Sequence, residues 1–379
     1  MRNIPITKTC FDQREMELLQ NCLDSGWVTQ GPMTEKFEQL FMDRHKSKYA
    51  IAVSSCTAAL HLAMLVLGIK EGDEVIVPAF TWITSANCIE YVGAKAVFVD
   101  VEKNSFNINP QLIEAAITKK TKAIIAVHLF GYAAKMDEIM EIAKKHNLRV
   151  IEDCACAIGT TYKGTPVGTI GDIGCFSFHP RKAITTGEGG LCSTNNEKLA
   201  YLLAQYRNHG AKVEKSDEYY GKPYYMGRFD VLGYNLRLSD IQAAVGVAQY
   251  EKLDSLLMRR RECALYYLDK LKNNTEYLLP EMKNEYGHTF QSFVILDQKG
   301  HKHRNSIMDK LTSGNIQSRP GTLAVHRLDY YKNKYKIKNE DFPISCECED
   351  TSITLPIYWD MTHEEQDKVI GILTERHSK

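Results

Sequence analysis

A complete strand–helix–strand unit lies between residues 123 and 151. It reads AIIAV at 123–127, DEIMEIAKK at 137–145 and RVI at 149–151. The two outer runs are short and almost wholly apolar, which is typical of strands that are covered on both faces of a sheet. The middle run has the apolar spacing of an amphipathic helix. The unit therefore predicts two parallel strands joined by a helical crossover.

Further apolar runs repeat this pattern on either side of the unit. They occupy residues 51–53, 74–77, 94–99 and 173–178. Because strands that alternate with helices form parallel sheets with helices on both faces, we predict a three-layer, mostly parallel α/β fold.

The pattern changes after about residue 245. A long charged helix, a strand and two further helices are predicted at 252–273, 290–296, 304–311 and 362–375. Thr362 and Glu365 have the spacing of a capping box, which marks the start of the last helix. We therefore predict an N-terminal arm over residues 1–14, a large domain over 15–248 and a smaller α+β domain over 249–379.

The composition is that of an ordinary globular protein. Of 379 residues, 44% are hydrophobic and 25% are charged, which argues against disorder. Lys plus Arg and Asp plus Glu both number 47, so the chain lacks the basic excess that binding to nucleic acid or acidic membranes requires. Residues 49–69 carry no charged side chain, but the polar stretch SSCT at 54–57 interrupts them, which favours a strand, a turn and a buried helix over a membrane span.

The cysteines predict free thiols rather than disulfides or a metal site. They number 11, and they lack the paired C-x₂-C spacing of zinc sites. The sequence begins without an apolar leader, so we expect a reducing, cytoplasmic environment.

Three strand ends carry side chains suited to ligand binding, which in open α/β sheets occurs beyond the carboxyl ends of the strands. Asp153 follows one strand, SSCT at 54–57 opens a helix after another, and Trp82 follows a third. A helix N-terminus with hydroxyl groups can hold a phosphate. The alternatives are that Asp153 and SSCT only cap helices and that Trp82 belongs to the core.

The stretch 171–190 is the most informative for chemistry. It reads GDIGCFSFHPRKAITTGEGG, an apolar strand followed by Lys182 and a glycine-rich turn. A lysine held between a strand and such a turn is suited to Schiff-base chemistry, because its pKa falls readily when it is desolvated. The alternative is an ordinary surface lysine. Arg181 is excluded as the imine former, because a guanidinium stays protonated in proteins.

In combination, these segments resemble the DegT/DnrJ/EryC1/StrS family of pyridoxal-phosphate (PLP) sugar aminotransferases. The shared segments are EDCA at 152–155, GDIG at 171–174, SF-x-x-x-K at 177–182, GEGG at 187–190, GWVT-x-G at 26–31, TAAL at 57–60, GDEV at 72–75, HL-x-G at 128–131, RNHG at 207–210 and GYN-x-R at 233–237. The resemblance implies fold type I, that of aspartate aminotransferase, and it runs from about residue 5 to the C-terminus.

The resemblance also implies a role for each matching residue. Lys182 would hold PLP as a Schiff base and then shuttle the proton, and Asp153 would pair with the ring nitrogen. The other implied PLP-binding residues are Cys56, Thr57 and Ser177 around the phosphate, Trp82 on the ring face, Cys156 near the ring, and Asn235 reaching in from the neighbouring subunit. A homodimer with shared active sites is thereby implied. The implied substrate-binding residues are Thr29, Gln30, Arg319 and His326.

Two residues depart from the family pattern. Cys156 stands where the family usually has His or Gln, and Cys56 stands where it often has Gly or Ala. A cysteine is the weaker hydrogen-bonding residue, so the ring should depend more on Asp153 and Trp82 for its orientation. Related dehydratases carry His in place of the lysine, so Lys182 favours transamination.

Three functions stay open at this point. The first is transfer of an amino group from L-glutamate to a keto sugar, which we expect to be nucleotide-linked, for polysaccharide or amino-sugar biosynthesis. The segments at 319–321 and 325–326 resemble perosamine-synthase-like members, which aminate C4 of a 4-keto-6-deoxy sugar. The second is an aminotransferase for a small phosphorylated ketone such as dihydroxyacetone phosphate. The third is a non-catalytic regulatory relative, against which Lys182 and Asp153 argue. Tyr219-Tyr220 and Tyr224-Tyr225 are further candidates for a sugar-nucleotide groove or for a dimer seam.

Overall fold

The computed structural model describes residues 3–212, 222, 227–283 and 285–375. Its helices are α1 (Gln13–Asp24), α2 (Pro32–His45), α3 (Cys56–Val66), α4 (Thr84–Tyr91), α5 (Pro110–Ala116), α6 (Met136–His146), α7 (Glu197–Arg207), α8 (Asp240–Glu251), α9 (Leu253–Leu271), α10 (His301–Ser313), α11 (Asp329–Tyr335), α12 (Pro343–Thr351) and α13 (His363–Thr374).

The strands alternate with these helices over the first half of the chain. They are β1 (Tyr49–Val53), β2 (Glu74–Pro78), β3 (Phe80–Thr81), β4 (Lys95–Val99), β5 (Thr121–Val127), β6 (Arg149–Asp153), β7 (Thr161–Tyr162), β8 (Thr165–Pro166), β9 (Ile173–Ser177), β10 (Gly190–Thr194), β11 (Ala211–Lys212), β12 (Arg228–Phe229), β13 (Tyr277–Leu278), β14 (Tyr286–Gly287), β15 (Phe293–Asp297), β16 (Leu323–Ala324) and β17 (Ser352–Leu355).

The central sheet has seven strands in the order β1-β10-β9-β6-β5-β2-β4. The pairs from β9 to β4 are parallel, whereas β10 runs antiparallel to both of its neighbours. The predicted three-layer, mostly parallel sheet is confirmed. The antiparallel strand was missed, because its first residue, Gly190, belongs to the run of glycines that predicts a turn.

Both faces of the sheet are buried, as the apolar runs predict. Side chains alternate between the faces of a strand, so Ile125 packs in one buried cluster and Ile124 in the other. Residues 49–69 form β1 and α3, a strand and a helix as predicted. No helix in the described ranges combines the length and the apolar character needed to cross a membrane.

The C-terminal part has a buried cluster of its own. The sheet β13-β15-β17 packs there with α9 and α13, around Tyr267, Phe293 and Ile353. Thr362 caps α13, and the predicted capping box with Glu365 is present. Ile4 also packs in this cluster, so the N-terminal segment lies against the C-terminal part. The division of the chain near residue 249 stays a prediction.

Candidate active site

The amine of Lys182 lies close to the carboxyl end of β6. Lys182 is half-buried in the turn after β9, and its main-chain N–H donates to His179 O over 2.9 Å. Its Nζ lies 3.3 Å from the Sγ of Cys156, three residues beyond Asp153. Since β9 and β6 are parallel neighbours, the sheet itself brings the predicted lysine and aspartate together.

Asp153 is a buried carboxylate held by two hydrogen bonds. Its Oδ2 accepts from the Oγ of Ser85 over 2.7 Å, and its Oδ1 accepts the N–H of Ala155 over 3.0 Å. Bonds of this kind stabilise the charged form of a carboxylate. The negative charge therefore has a fixed place, which suits a protonated ring nitrogen.

Ser85 is a residue that the sequence analysis missed. It also lies 3.0 Å from the hydroxyl of Thr81, so Thr81, Ser85 and Asp153 form a buried polar chain. The only local signal is that two hydroxyl residues stand four positions apart beside Trp82. That spacing does not reveal that the acceptor is a carboxylate from another strand.

A second buried network lies behind the site. His128 accepts the N–H of Ala134 at Nδ1, so its Nε2 carries the hydrogen that bonds Glu152 over 3.0 Å. Burial opposes the charge of Glu152, but this bond and the N–H groups of Gly168 and Gly171 lower its pKa below the ordinary value. These bonds tie β6 to the loop that leads into β9 and Lys182.

Pairing across three neighbouring strands brings the predicted phosphate-binding residues together. Val53 of β1 pairs with Gly190, and Gly190 pairs with Ser177. A side chain at Gly190 would lie 2.3–2.6 Å from the backbone of Ser55 and Cys56, so only glycine allows this close approach. The start of α3 and the end of β9 are thus held side by side.

The N-terminus of α3 has the features of an anion site. Ser55 caps the helix by accepting the N–H of Ala58 over 3.1 Å. The N–H groups of Cys56 and Thr57 have no acceptor within the helix, and they lie at its positive end. Burial raises the pKa of the Cys56 thiol well above its ordinary value, and the charge of Asp153 adds to this effect. The Cys56 thiol therefore stays neutral and adds no negative charge to the anion site.

Trp82 lies at the mouth of the site. It stands between β3 and α4, one residue after Thr81 of the polar chain, and 57% of its surface is exposed. The alternative in which Trp82 belongs to the core does not fit this exposure. The exposed ring is available to cover a ligand that binds beside Asp153.

Thr29 and Gln30 are attached to the same helix as the glycine-rich turn. Thr29 O accepts the N–H of Asp240, the first residue of α8, over 3.1 Å. Glu188 O accepts from the side chain of Gln242, two residues further along α8, over 2.7 Å. Thr29 is exposed, so this segment can contact a ligand.

Arg319 and His326 differ in their access to the site. Arg319 is half-buried near Arg181, and burial together with that neighbouring charge lowers the pKa of Arg319. His326 is fully buried; its ring lies 4.5 Å from that of Phe342, and its Nε2 lies 3.4 Å from the Sγ of Cys346. A substrate contact by the His326 side chain does not fit this placement. Burial lowers its pKa to about 4, so His326 is neutral at physiological pH.

Asn235 lies on the surface beside the end of β1. It forms a backbone bridge with Asn208, and its side chain is exposed. Within the described chain it is therefore open to another subunit. Tyr219-Tyr220 and Tyr224-Tyr225 lie outside the described residues.

Known proteins resemble this chain over nearly its whole length. Residues 9–374 match the DegT/DnrJ/EryC1/StrS aminotransferase family. GDP-perosamine synthase of Escherichia coli O157:H7 is 39% identical, with full coverage of both chains. The spore coat polysaccharide biosynthesis protein SpsC of Bacillus subtilis is 34% identical, covering 97% of this chain and 95% of SpsC.

A solved structure has the same fold. The PMP-form of the putative sugar aminotransferase Spr1654 from Streptococcus pneumoniae superposes with a TM-score of 0.93, at 29% identity and 98% coverage of both chains, and a PLP-form of the same protein gives 0.91. The fold is therefore the PLP-dependent transferase fold of type I, and the cofactor is PLP. The chain belongs to the DegT/DnrJ/EryC1/StrS family, and it is a PLP-dependent aminotransferase.

Proposed function

We propose that the enzyme transfers an amino group from L-glutamate to a keto sugar that is linked to a nucleotide. The observation that carries the proposal is the half-buried amine of Lys182 against Cys156, three residues beyond the buried carboxylate of Asp153, in a chain whose relatives include sugar aminotransferases. The name of the Escherichia coli relative favours a GDP-linked sugar. We further propose a cytoplasmic location, where sugar nucleotides are available.

The residues around the site fit PLP. When bound, PLP supplies the electron-withdrawing ring that lets an amino group leave one carbon and join another. Asp153 would pair with the ring nitrogen, because its carboxylate is already held in place by hydrogen bonds from Ser85 and Ala155. Thr57 and Ser177 would bind the phosphate at the start of α3, and Trp82 would cover the ring.

Lys182 would bind the cofactor and move the proton. Its Nζ is held by Cys156 at 3.3 Å, which keeps the amine directed toward the side of the site where Asp153 lies. Once its own bond to the cofactor is released, Lys182 would take a proton from the donor carbon that carries the amino group. It would then deliver the proton to the cofactor carbon that is bonded to the same nitrogen. Cys156 is a weak acceptor, so it orients the amine without holding it as tightly as a carboxylate would.

A homodimer would complete the active site. Asn235 is exposed, and two large apolar side chains that shortly precede it in the sequence are exposed as well: Phe229 at 61% and Leu232 at 86%. Trp27, just before Thr29, is 54% exposed as well. Exposed apolar residues of this size are typical of surfaces that another protein covers. We propose that a second copy covers them and that Asn235 then reaches its partner's phosphate site.

The acceptor can be tested with purified enzyme that is loaded with PLP. Glutamate is supplied as donor, and kcat/KM is compared for a GDP-linked 4-keto-6-deoxy sugar and for dihydroxyacetone phosphate. We expect the sugar nucleotide to be preferred, because its nucleotide adds binding energy far from the reacting carbon. If the small ketone is preferred by more than about tenfold, roughly 1.4 kcal/mol, the nucleotide-sugar proposal is refuted.

A further inference from the structure

A thiol and the reactive lysine amine lie side by side in the active site. The Sγ of Cys156 is 3.3 Å from the Nζ of Lys182. The structure describes all eleven cysteines, and only Cys10, Cys56 and Cys156 among them are partly exposed. Within the described residues, the lysine amine has no hydrogen-bond partner other than Cys156. Two nucleophilic atoms of different elements therefore meet where a small molecule can reach them.

The backbone fixes the positions of both side chains. Cys156 follows β6 in a turn that is closed by a hydrogen bond from Ala157 N–H to Cys154 O, over 2.9 Å. Lys182 follows β9 in a turn that is closed by the hydrogen bond from its own N–H to His179 O. Because β6 and β9 are parallel neighbours, the two turns lie at the same edge of the sheet. The contact between thiol and amine is therefore a consequence of the fold.

The distance suits a reaction between the two side chains. Groups react readily when the fold holds the reacting atoms about 3–3.5 Å apart, and the distance of 3.3 Å falls within this range. A cysteine beside a positively charged group is also the better nucleophile, because that charge stabilises the negative charge on the sulfur. Lys182 can therefore first assist the reaction of the sulfur and then react with it.

The other two partly exposed cysteines lack this arrangement. Burial raises the pKa of the Cys56 thiol well above its ordinary value, and burial is also the largest cause of the raised pKa of Cys10. Lys252 lies close enough to Cys10 to affect it, but its amine is bound to Asp12 over 2.8 Å and to Glu15 over 2.7 Å. Cys10 is therefore an internal control, a thiol near a lysine that carboxylates already hold.

We propose that Cys156 is a site of reversible oxidation by hydrogen peroxide and that the oxidised sulfur captures the amine of Lys182. The sulfur first attacks the peroxide, so that an S–O bond forms, the O–O bond breaks and one water leaves. Cys156 is thereby oxidised by two electrons to a sulfenic acid, and the peroxide is reduced. The Nζ of Lys182 then attacks this sulfur, an S–N bond forms, and the S–O bond breaks. The hydroxyl group leaves as a second water with a proton from the amine.

The S–N link would stop the enzyme reversibly. Lys182 could neither bind PLP nor move a proton, because its nitrogen is bonded to sulfur. A thiol reductant attacks the sulfur and releases the amine, and a second reductant thiol then restores the Cys156 thiol as the two reductant molecules become a disulfide. The effect on activity rests on the proposed role of Lys182, whereas formation of the link is measured separately.

The form of the cofactor should decide when the link can form. In the enzyme loaded with PLP, the proposed role of Lys182 places its nitrogen in a bond to the cofactor, which protects it. Pyridoxamine phosphate (PMP) has no aldehyde group, so the amine of Lys182 is free beside Cys156 when PMP is bound. The enzyme should therefore be open to oxidation after the donor has reacted and before the acceptor arrives.

The test treats PMP-loaded and PLP-loaded enzyme with hydrogen peroxide and measures the intact mass and the peptide map. We expect the PMP-loaded wild type to lose about 2 Da, with the peptides of Cys156 and Lys182 joined, and the PLP-loaded form to resist. Dithiothreitol should restore both mass and activity. Cys156→Ser and Lys182→Ala should form no link, whereas Cys10→Ser should form it as the wild type does. In Lys182→Ala, the sulfenic acid should persist on Cys156 and be labelled by dimedone.

Three results would overturn the inference. The first is dimedone labelling of Cys156 in the PMP-loaded wild type without joined peptides, since the sulfur is then oxidised but not captured. The second is a disulfide between Cys156 and Cys56 in place of the link to Lys182. The third is an unmodified Cys156 at a peroxide dose that oxidises Cys10.

A further outcome separates this inference from the proposed function. Equal formation of the link in PLP-loaded and PMP-loaded enzyme would support the capture of Lys182 by Cys156. It would count against Lys182 as the residue that binds PLP, because the amine would then be free in both forms.

Discussion

The hydrogen bond from Ser85 to Asp153 yields a prediction that depends on the tertiary structure. Replacing Ser85 with Ala removes one of the two donors that hold the carboxylate of Asp153, and it leaves only the N–H of Ala155. We expect the variant to bind PLP and to fold, but to react more slowly with glutamate, because Asp153 is then less well held against the ring nitrogen.

The size of the effect follows from the geometry. The bond measures 2.7 Å, both side chains are buried, and its acceptor is a carboxylate oxygen. Hydrogen bonds to charged groups contribute about 1.5–3 kcal/mol, which corresponds to a factor of about 10–150 in rate if the whole contribution acts in the transition state. Single-turnover conversion to the pyridoxamine form, followed by absorbance, measures this rate directly.

Ser345 offers a matched control. It is buried, and its hydroxyl donates to Asp100 over 2.5 Å, in a Ser–Asp pair like that of Ser85 and Asp153 but separate from Lys182. Ser345→Ala should lose a comparable free energy of unfolding and keep the wild-type rate. If Ser85→Ala reacts with glutamate as fast as Ser345→Ala does, Asp153 does not depend on Ser85 and the argument is refuted.

Four further predictions concern the site and its support. Lys182→Ala should bind PLP without covalent attachment and lose nearly all turnover; borohydride reduction of the wild type followed by peptide mapping should find the cofactor within residues 171–190, and a label elsewhere would exclude Lys182. Asp153→Asn should slow the glutamate half-reaction by orders of magnitude, whereas an unchanged single-turnover rate would remove its role at the ring nitrogen. Mixing inactive Lys182→Ala with an inactive Asn235→Ala variant should restore some activity if the active site is shared, and no recovery after proven subunit exchange would count against sharing. Folding lowers the pKa of Glu152, so its contribution to stability is present above the ordinary value of 4.5 and is lost as pH falls through the folded value. The free energy of unfolding, measured with urea, should therefore fall more between about pH 5 and pH 3 for the wild type than for Glu152→Gln. An equal fall in both proteins would contradict this.

Short-range patterns in the sequence were enough to predict much of the fold. Apolar runs with a helix between them predicted the parallel strands, including the neighbours β5 and β6, and the spacing of Thr362 and Glu365 predicted the cap of α13. These features depend on residues close together in the chain. The lysine and the aspartate were also recognisable, because the motifs around them resemble those of the family and each follows an apolar run within a few residues.

Contacts between distant residues could not be predicted in the same way. Gly190 was assigned to a turn, yet it begins a strand inserted between β1 and β9, since pairing with Val53 and Ser177 outweighs its local preference. His326 follows a motif that indicated a substrate contact, but packing against Phe342 buries it. Which face a side chain takes depends on neighbours that the local sequence does not contain.

The active-site residues also fall into two groups, those that the sequence predicted and those that only the structure revealed. The sequence alone determined which residue types are present for the reaction, with Lys182 and Asp153 at the ends of two strands. Only the tertiary structure decided that Ser85 holds Asp153 and that Cys156 lies against the lysine amine. The physical reason is that hydrogen bonds and charges act over a few ångströms in space, whereas Ser85 and Asp153 are 68 positions apart in the chain and meet only in the folded protein.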